Sequence, residues 1–402
     1  MRAGSVHLRS SFSIHWKALV VTSVLVLGVL GAGRAGRLYW RQRAPTPSGP
    51  SQSGTVRLGF VDHNRQDPYR ADGGNRELLL QFWYPISPVR ECRLADYTSP
   101  KVWAYLSQIT DVTLPPVETN SCLGAAVAPG IYPVIIFSHG YTGMPTDETF
   151  LFEDLASRGY VVVSVAHTYE ATAVEFPDGR LTKSVLGSFL EGELRGDDQL
   201  LERALAVRLA DLEFVLNELA RLNSDSTSLF AGRLNIARVA VMGHSLGGMT
   251  ALLSLEKEPR FRAAVMIDVP VLPWESVTRK PVLIIKAGRD RWTDEECKLW
   301  SNLRGPRFAI NLSGAEHLTP TDAVWLMRFI PGLTVSAGKM GSEKTIALMR
   351  NYAAAFFDTH LLGWPPGSPL RTGSQAYPDA DPVTQQNAPC SEESPAMKER
   401  VP

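Results

Sequence analysis

The stretch Arg238–Pro259 reads RVAVMGHSLGGMTALLSLEKEP. Four β-prone residues, Val239 to Met242, run straight into Gly243-His244-Ser245-Leu246-Gly247-Gly248, and a helix-forming run then continues to Pro259. A serine hydroxyl is a poor nucleophile until a base takes its proton. To meet a substrate and a base, its Oγ must stand clear of the sheet edge. A sharp strand–turn–helix elbow achieves this by forcing the serine into a strained backbone conformation, which leaves no room for side chains two residues to either side. Gly243 and Gly247 meet that demand around Ser245. The bare Gly-x-Ser-x-Gly pattern occurs often by chance, and its context between a buried strand and a helix is what makes it specific. Otherwise the stretch is a tight turn holding an incidental serine.

An activated serine needs a histidine and a carboxylate, which in this topology follow it in the order serine, acid, histidine. Of the eight histidines only His317 and His360 follow Ser245. His360 sits near the end of the last helical pattern, NYAAAFFDTHLLG, where a helix-terminal role explains it. His317 lies in NLSGAEHLTPTD, a loop just after the strand pattern Phe308 to Leu312, so it is the expected base. Two carboxylates end strands in the right interval: Asp268 after RAAVMI, and Asp290 in VLIIKAGRD. Either one would orient the imidazole; the other is then a solvated loop group or a cap. The developing oxyanion needs preformed donors. One is the backbone N–H of Leu246, after the nucleophile, and the other is the N–H of Tyr141 in SHGYTGMPTD, where Gly140 permits close approach.

The rest of the chain frames this site. YPVIIFSHG (Tyr132 to Gly140) and YVVVSVAH (Tyr160 to His167) are continuous apolar runs, as expected of strands buried on both faces. A helical pattern, DETFLFEDLASRG, lies between them, and the longest, about 197–222, follows and carries Leu201, Leu205, Leu209, Leu212, Leu216 and Leu219 at three- or four-residue steps. The alternation predicts an α/β fold: a mostly parallel central sheet with helices on both faces. Residues 86–130 show no clear period and read as an irregular insertion. Four segments are expected: 1–43, a signal or membrane-anchor segment; 44–54, a flexible linker (APTPSGPSQSG); 55–364, the catalytic domain; and 365–402, a disordered tail.

With 41 basic and 41 acidic residues the formal charge is zero, which argues against a nucleic-acid partner. The four cysteines show no CxxC spacing, so a zinc or redox motif is not expected; Cys92 and Cys122 either pair outside the cytosol or stay free. Ala18 to Gly33 is uncharged, preceded by Arg2, Arg9 and Lys17, with small residues near Ala32 that offer a cleavage site. Export is the expectation, either as a secreted or periplasmic protein or as one anchored to a membrane by this run. The apolar run AVWLMRFIPGL (Ala323 to Leu333) is either core or the lining of an acyl pocket.

Taken together, VDHNRQ, LLLQFWYP, YPVIIFSHGYTG, FEDLASRGYVVVSVAH, VAVMGHSLGG and RFRAAVMID resemble the plasma-type (group VII) platelet-activating factor acetylhydrolases and their bacterial relatives. The resemblance covers most of Val56 to about Thr321 and implies an α/β-hydrolase fold. It implies Ser245 as nucleophile, Asp268 as acid, His317 as base, and Tyr141 and Leu246 as oxyanion donors. The tail RNYAAAFFDTHLLGW is closer to dienelactone- and polyester-hydrolase-like esterases, which place the acid at Asp290. The expected protein is therefore a serine ester hydrolase that needs no cofactor or metal. Its substrate is a small-molecule or lipid ester, with short-acyl phospholipids implied by the resemblance. An exported polyester or small-ester hydrolase is the second reading, and a catalytically silent binding scaffold the third.

Overall fold

A computed structural model describes residues 41–186, 198–269, 277–288, 292–327, 339–367, 370, 380–383 and 390. The run Ala18 to Gly33 and Asp290 lie outside the described residues, as does the second half of Ala323 to Leu333. Among the described residues no helix is long and apolar enough to cross a membrane.

In chain order the elements begin with β1 (Gln42–Arg43), β2 (Gln52–Gln66), β3 (Asn75–Ile86), β4 (Leu94–Asp96), α1 (Pro100–Thr110), β5 (Val117–Leu123) and β6 (Tyr132–Ser138). They continue with α2 (Thr149–Ser157), β7 (Val161–Ala166), β8 (Ala173–Glu175), β9 (Leu181–Lys183), α3 (Asp198–Ser224), β10 (Leu234–His244) and α4 (Leu246–Lys257). The rest are β11 (Phe261–Ile267), β12 (Val282–Ala287), α5 (Asp294–Asn302), β13 (Arg307–Leu312), α6 (Ala323–Leu326), α7 (Ser342–Phe357) and β14 (Ala380–Val383). The main sheet runs β1-β5-β2-β3-β7-β6-β10-β11-β12-β13-β14. From β7 to β13 all neighbours are parallel. β3 and β14 flank that block in antiparallel pairings.

The parallel strands are buried on both faces because each alternate set of side chains has its own core. Val134, Ile136, Val239, Val241, Ala264 and Met266 pack against Leu212, Val215 and Leu216 of α3 and Leu252 of α4. Ile135, Phe137, Ala240, Met242, Val265 and Ile267 pack against Leu151 and Leu155 of α2 and Leu348, Tyr352 and Phe356 of α7. At about 25 cal/mol per Å² of apolar area these two layers are the dominant stabilising term. The chain passes from β6 outward to β7, then returns to place β10 on the other side of β6. That reversal parts the loops after β6 and β10, and ligand crevices form at such switch points.

Three expectations need correction. Residues 86–130 are not irregular: they hold β4, α1 and β5, with α1 capped by Ser99 Oγ accepting from Val102 N–H and the strands tied by a Cys92–Cys122 disulfide. Residues 44–54 are not a free linker. Ser48 N and Oγ donate to buried Asp154, and Arg350 donates to Thr46 O and Pro45 O. The last residues of the segment already belong to β2, from Gln52. Nor is the tail wholly disordered, since β14 pairs with β13 and Cys390 is bonded to Cys297. In α6, Val324 and Trp325 are buried with Tyr97, Phe150 and Ile346, so this part of the run is core.

Candidate active site

Parallel pairing delivers the C-terminal ends of β6, β10, β11 and β13 to one edge, and the site is assembled from the loops that leave them. Ser245 takes φ 53°, ψ −122°, a conformation that L residues avoid. A Cβ on Gly243 would come within 2.2 Å of the Gly247 backbone, and one on Gly247 within 1.9 Å of Ser138 O. The two glycines are therefore required by the elbow itself. Gly140 follows on the β6 side, where an added Cβ would lie 3.5 Å from Ser245 Cβ, so the turn after β6 touches the nucleophile position directly.

His317 lies on the loop after β13. Its Nδ1 is 2.5 Å from Asp268 Oδ2, a charge-assisted geometry. Asp268 sits one residue past β11 in a positive-φ conformation, with its N–H bonded to Ile285 O. Its other carboxylate oxygen, Oδ1, accepts from Ala287 N–H at 2.9 Å. Gly288, at φ 53°, makes room for the histidine loop: a Cβ there would stand 1.9 Å from Ala315 O. The structure thus brings Asp268 to His317 Nδ1, while Asp290, the alternative acid, lies outside the described residues. Ser245 Oγ and His317 Nε2 make no hydrogen bond to each other. Such contacts are often loose before substrate binds.

His244 supports the base from behind. Its ring lies against that of His317, tilted by 36° with centroids 4.6 Å apart, and its Nε2 lies 3.0 Å from His317 O. A carbonyl only accepts, so Nε2 carries the proton. Burial, and then the neighbouring His317, push the His244 pKa down to about 3, so the ring is neutral near pH 7. His360, the discarded histidine, packs against Phe308 and Phe356 at the end of α7.

The two expected oxyanion donors, the N–H groups of Leu246 and Tyr141, are both left without a protein acceptor among the described residues. Leu246 is the first residue of α4, so its N–H has no partner within the helix. Leu246 packs with Met249, Ala204 and the half-buried Leu201, Leu205 and Tyr141, which makes an apolar wall beside the nucleophile. Among the described residues no group of three His, Cys, Asp or Glu side chains could hold a metal ion.

Sequence reasoning missed His244, Gly288 and the buried Arg208 of α3. His244 hid as the variable position of its motif. Arg208 did leave a signal, because it breaks the apolar face of α3 between Ala204 and Leu212, where a solvated charge is not expected.

Comparison with known proteins agrees with this fold. A family profile described as platelet-activating factor acetylhydrolase, isoform II, matches residues 90–178 and 212–363, more than half of the chain. A platelet-activating factor acetylhydrolase of Gallus gallus is 27% identical over 283 residues, covering 61% of this chain and 65% of that protein. Cutinase 2 of Thermobifida cellulosilytica is 27% identical over 218 residues, covering 50% of this chain and 69% of its own. A ferulic acid esterase of Streptomyces cinnamoneus, of solved structure, is 32% identical, with a TM-score of 0.71, and the match covers 85% of this chain and 99% of that one. The chain thus spans less than two thirds of the avian relative, and nearly all of the bacterial esterase.

Proposed function

Because the chain belongs to the platelet-activating factor acetylhydrolase, isoform II, family of α/β-hydrolases, we propose that it is a serine carboxylic-ester hydrolase working through Ser245, His317 and Asp268. The observation that carries the reading is the Asp268–His317 pair at 2.5 Å, on the same sheet edge as a strained Ser245 and two unpartnered N–H groups. His317 Nε2 takes the Ser245 proton as Oγ attacks the ester carbonyl. The oxyanion is held by the N–H groups of Tyr141 and Leu246. The imidazolium, stabilised by Asp268, returns the proton to the leaving alcohol. Water then attacks the acyl-enzyme by the same route in reverse, releasing the acid and freeing Ser245. None of these steps draws on a cofactor.

The substrate is proposed to be a short-acyl phospholipid ester, in line with the family. A second reading, a polyester or small-ester hydrolase, is supported by the bacterial ferulic acid esterase, a relative whose length this chain covers almost completely. Export from the cytosol is supported by two disulfides, Cys92–Cys122 and Cys297–Cys390, which persist in oxidising compartments. The test is a rate profile over p-nitrophenyl esters of increasing acyl length, run beside a short-acyl phospholipid and a feruloyl ester. Rates that fall with acyl length, together with phospholipid cleavage, support the first reading. Turnover of the feruloyl ester without phospholipid cleavage moves the assignment to the second.

A further inference from the structure

The mechanism above leaves a fully buried cation unused. Arg208, on α3, is 0% exposed. Its Nε donates to Glu170 Oε2 at 2.7 Å, which makes an ion pair sealed from solvent. Its two remaining nitrogens turn away from the carboxylate. Nη1 donates to His139 O and Nη2 to Gly140 O, both in the turn after β6. A buried pair is weak evidence for stability, because desolvation consumes most of the attraction. What distinguishes this one is where its spare donors go.

Gly140 C=O and Tyr141 N–H are the two ends of one peptide unit. The unit is planar and trans, so its N–H points opposite to its C=O. Fixing the oxygen therefore fixes the direction of the N–H. Gly140 O receives three donors: Arg208 Nη2 at 3.2 Å, Gly143 N at 3.1 Å and His139 Nδ1 at 2.7 Å. A cationic donor on that oxygen also polarises the peptide and strengthens the N–H as a donor at its far end. Glu170, which holds Arg208, is in turn held by Tyr69 OH at 3.1 Å. Directly behind stands a second buried set, Arg76 with Asp67 and Asp211, and Asp211 with His167, whose Nε2 contacts Ser138 Oγ at the end of β6.

We infer that Arg208 is a positioning residue that aims and polarises the Tyr141 N–H through the Gly140 carbonyl, so that the Glu170–Arg208 pair acts on the oxyanion without touching substrate. The inference rests on the reading of Tyr141 N–H as an oxyanion donor.

The test compares wild type, Arg208→Lys, and Arg208→Met combined with Glu170→Gln, which removes both charges and leaves no unpaired ion. With p-nitrophenyl acetate, kcat in the double variant should fall roughly ten- to a thousandfold while KM moves less than about threefold, the pattern of an interaction made only in the transition state. A trifluoromethyl ketone, whose adduct with serine carries an oxyanion, should bind more weakly by the same factor. A non-hydrolysable ether analogue of the substrate should bind as before. Arg208→Lys keeps the charge but cannot span both carbonyls, so its kcat should lie between the two. If the double variant does not fold, the kcat-to-KM split and ketone affinity of Arg208→Lys carry the same test. Folded variants with wild-type kcat, or equal losses for the ketone and the ether, would overturn the inference. Ester turnover that survives Ser245→Ala would instead refute the underlying serine-esterase reading.

Discussion

Asp268→Asn separates the proposed acid from its rival at the level of single hydrogen atoms. In the native site Asp268 accepts from His317 Nδ1–H through Oδ2 and from Ala287 N–H through Oδ1. Asparagine offers one acceptor oxygen and one NH2. If the oxygen stays on Ala287 N–H, the NH2 faces His317 Nδ1. Two donors cannot share that contact, so the imidazole proton moves to Nε2. The nitrogen that should accept the Ser245 proton then already carries one. In a serine hydrolase this tautomer costs about four orders of magnitude in kcat, or roughly 5.4 kcal/mol of barrier at 1.36 kcal/mol per tenfold. If the amide flips instead, its NH2 opposes Ala287 N–H in a buried site, at about 1–3 kcal/mol of stability for the unsatisfied donor. The expected result is a folded protein with kcat for p-nitrophenyl acetate down about ten-thousandfold and KM little changed. Asp290→Asn should stay within about tenfold of wild type, or 1.4 kcal/mol. A folded Asp268→Asn within tenfold of wild type, beside an inactive Asp290→Asn, would refute the assignment and move the acid to the later strand.

Two further outcomes follow from the packing. Gly247→Ala should cost at least about 2 kcal/mol in urea-monitored unfolding and most of the turnover, because the new Cβ meets the Ser138 carbonyl at 1.9 Å; wild-type stability would contradict the elbow geometry. Burial raises the Asp147 carboxyl from its ordinary 3.8 to about 7. The folded state thus holds a proton that the unfolded chain releases, so this group's stabilising contribution is complete below pH 3.8 and is lost as pH rises through about 7. The melting temperature of Asp147→Asn relative to wild type should therefore rise between pH 5 and pH 8, and a constant difference would count against that protonation.

The parts of this protein that sequence makes legible are those decided by local chemistry. Val134 to Phe137 and Val239 to Met242 announce buried strands because both faces of each must be apolar. Ser245 is readable because the elbow tolerates little but glycine at 243 and 247. His317 follows from chain order together with its loop after the Phe308 to Leu312 strand pattern, since His360 falls in the last helical pattern. What stays hidden depends on partners far along the chain. Pro45 to Gly49 have the composition of a linker, yet Asp154 and Arg350 pin them. The Asp- and Pro-containing segment 380–383 becomes a strand because β13 presents an edge to pair with. Asp268 and Asp290 each follow an apolar strand pattern in the sequence, and no local pattern ranks them. Arg208 looks like a flaw in the apolar face of α3 until the two carbonyls it holds are known.

The claim that Ser245 is the nucleophile of an ester hydrolase is tested most directly by fluorophosphonate labelling, run beside p-nitrophenyl acetate hydrolysis on wild type and Ser245→Ala. The expected result is one adduct, on Ser245 of the wild type, with labelling and turnover both abolished in a Ser245→Ala protein of unchanged melting temperature. Folded wild type that takes up no probe, or a Ser245→Ala variant that still hydrolyses the ester, would contradict it.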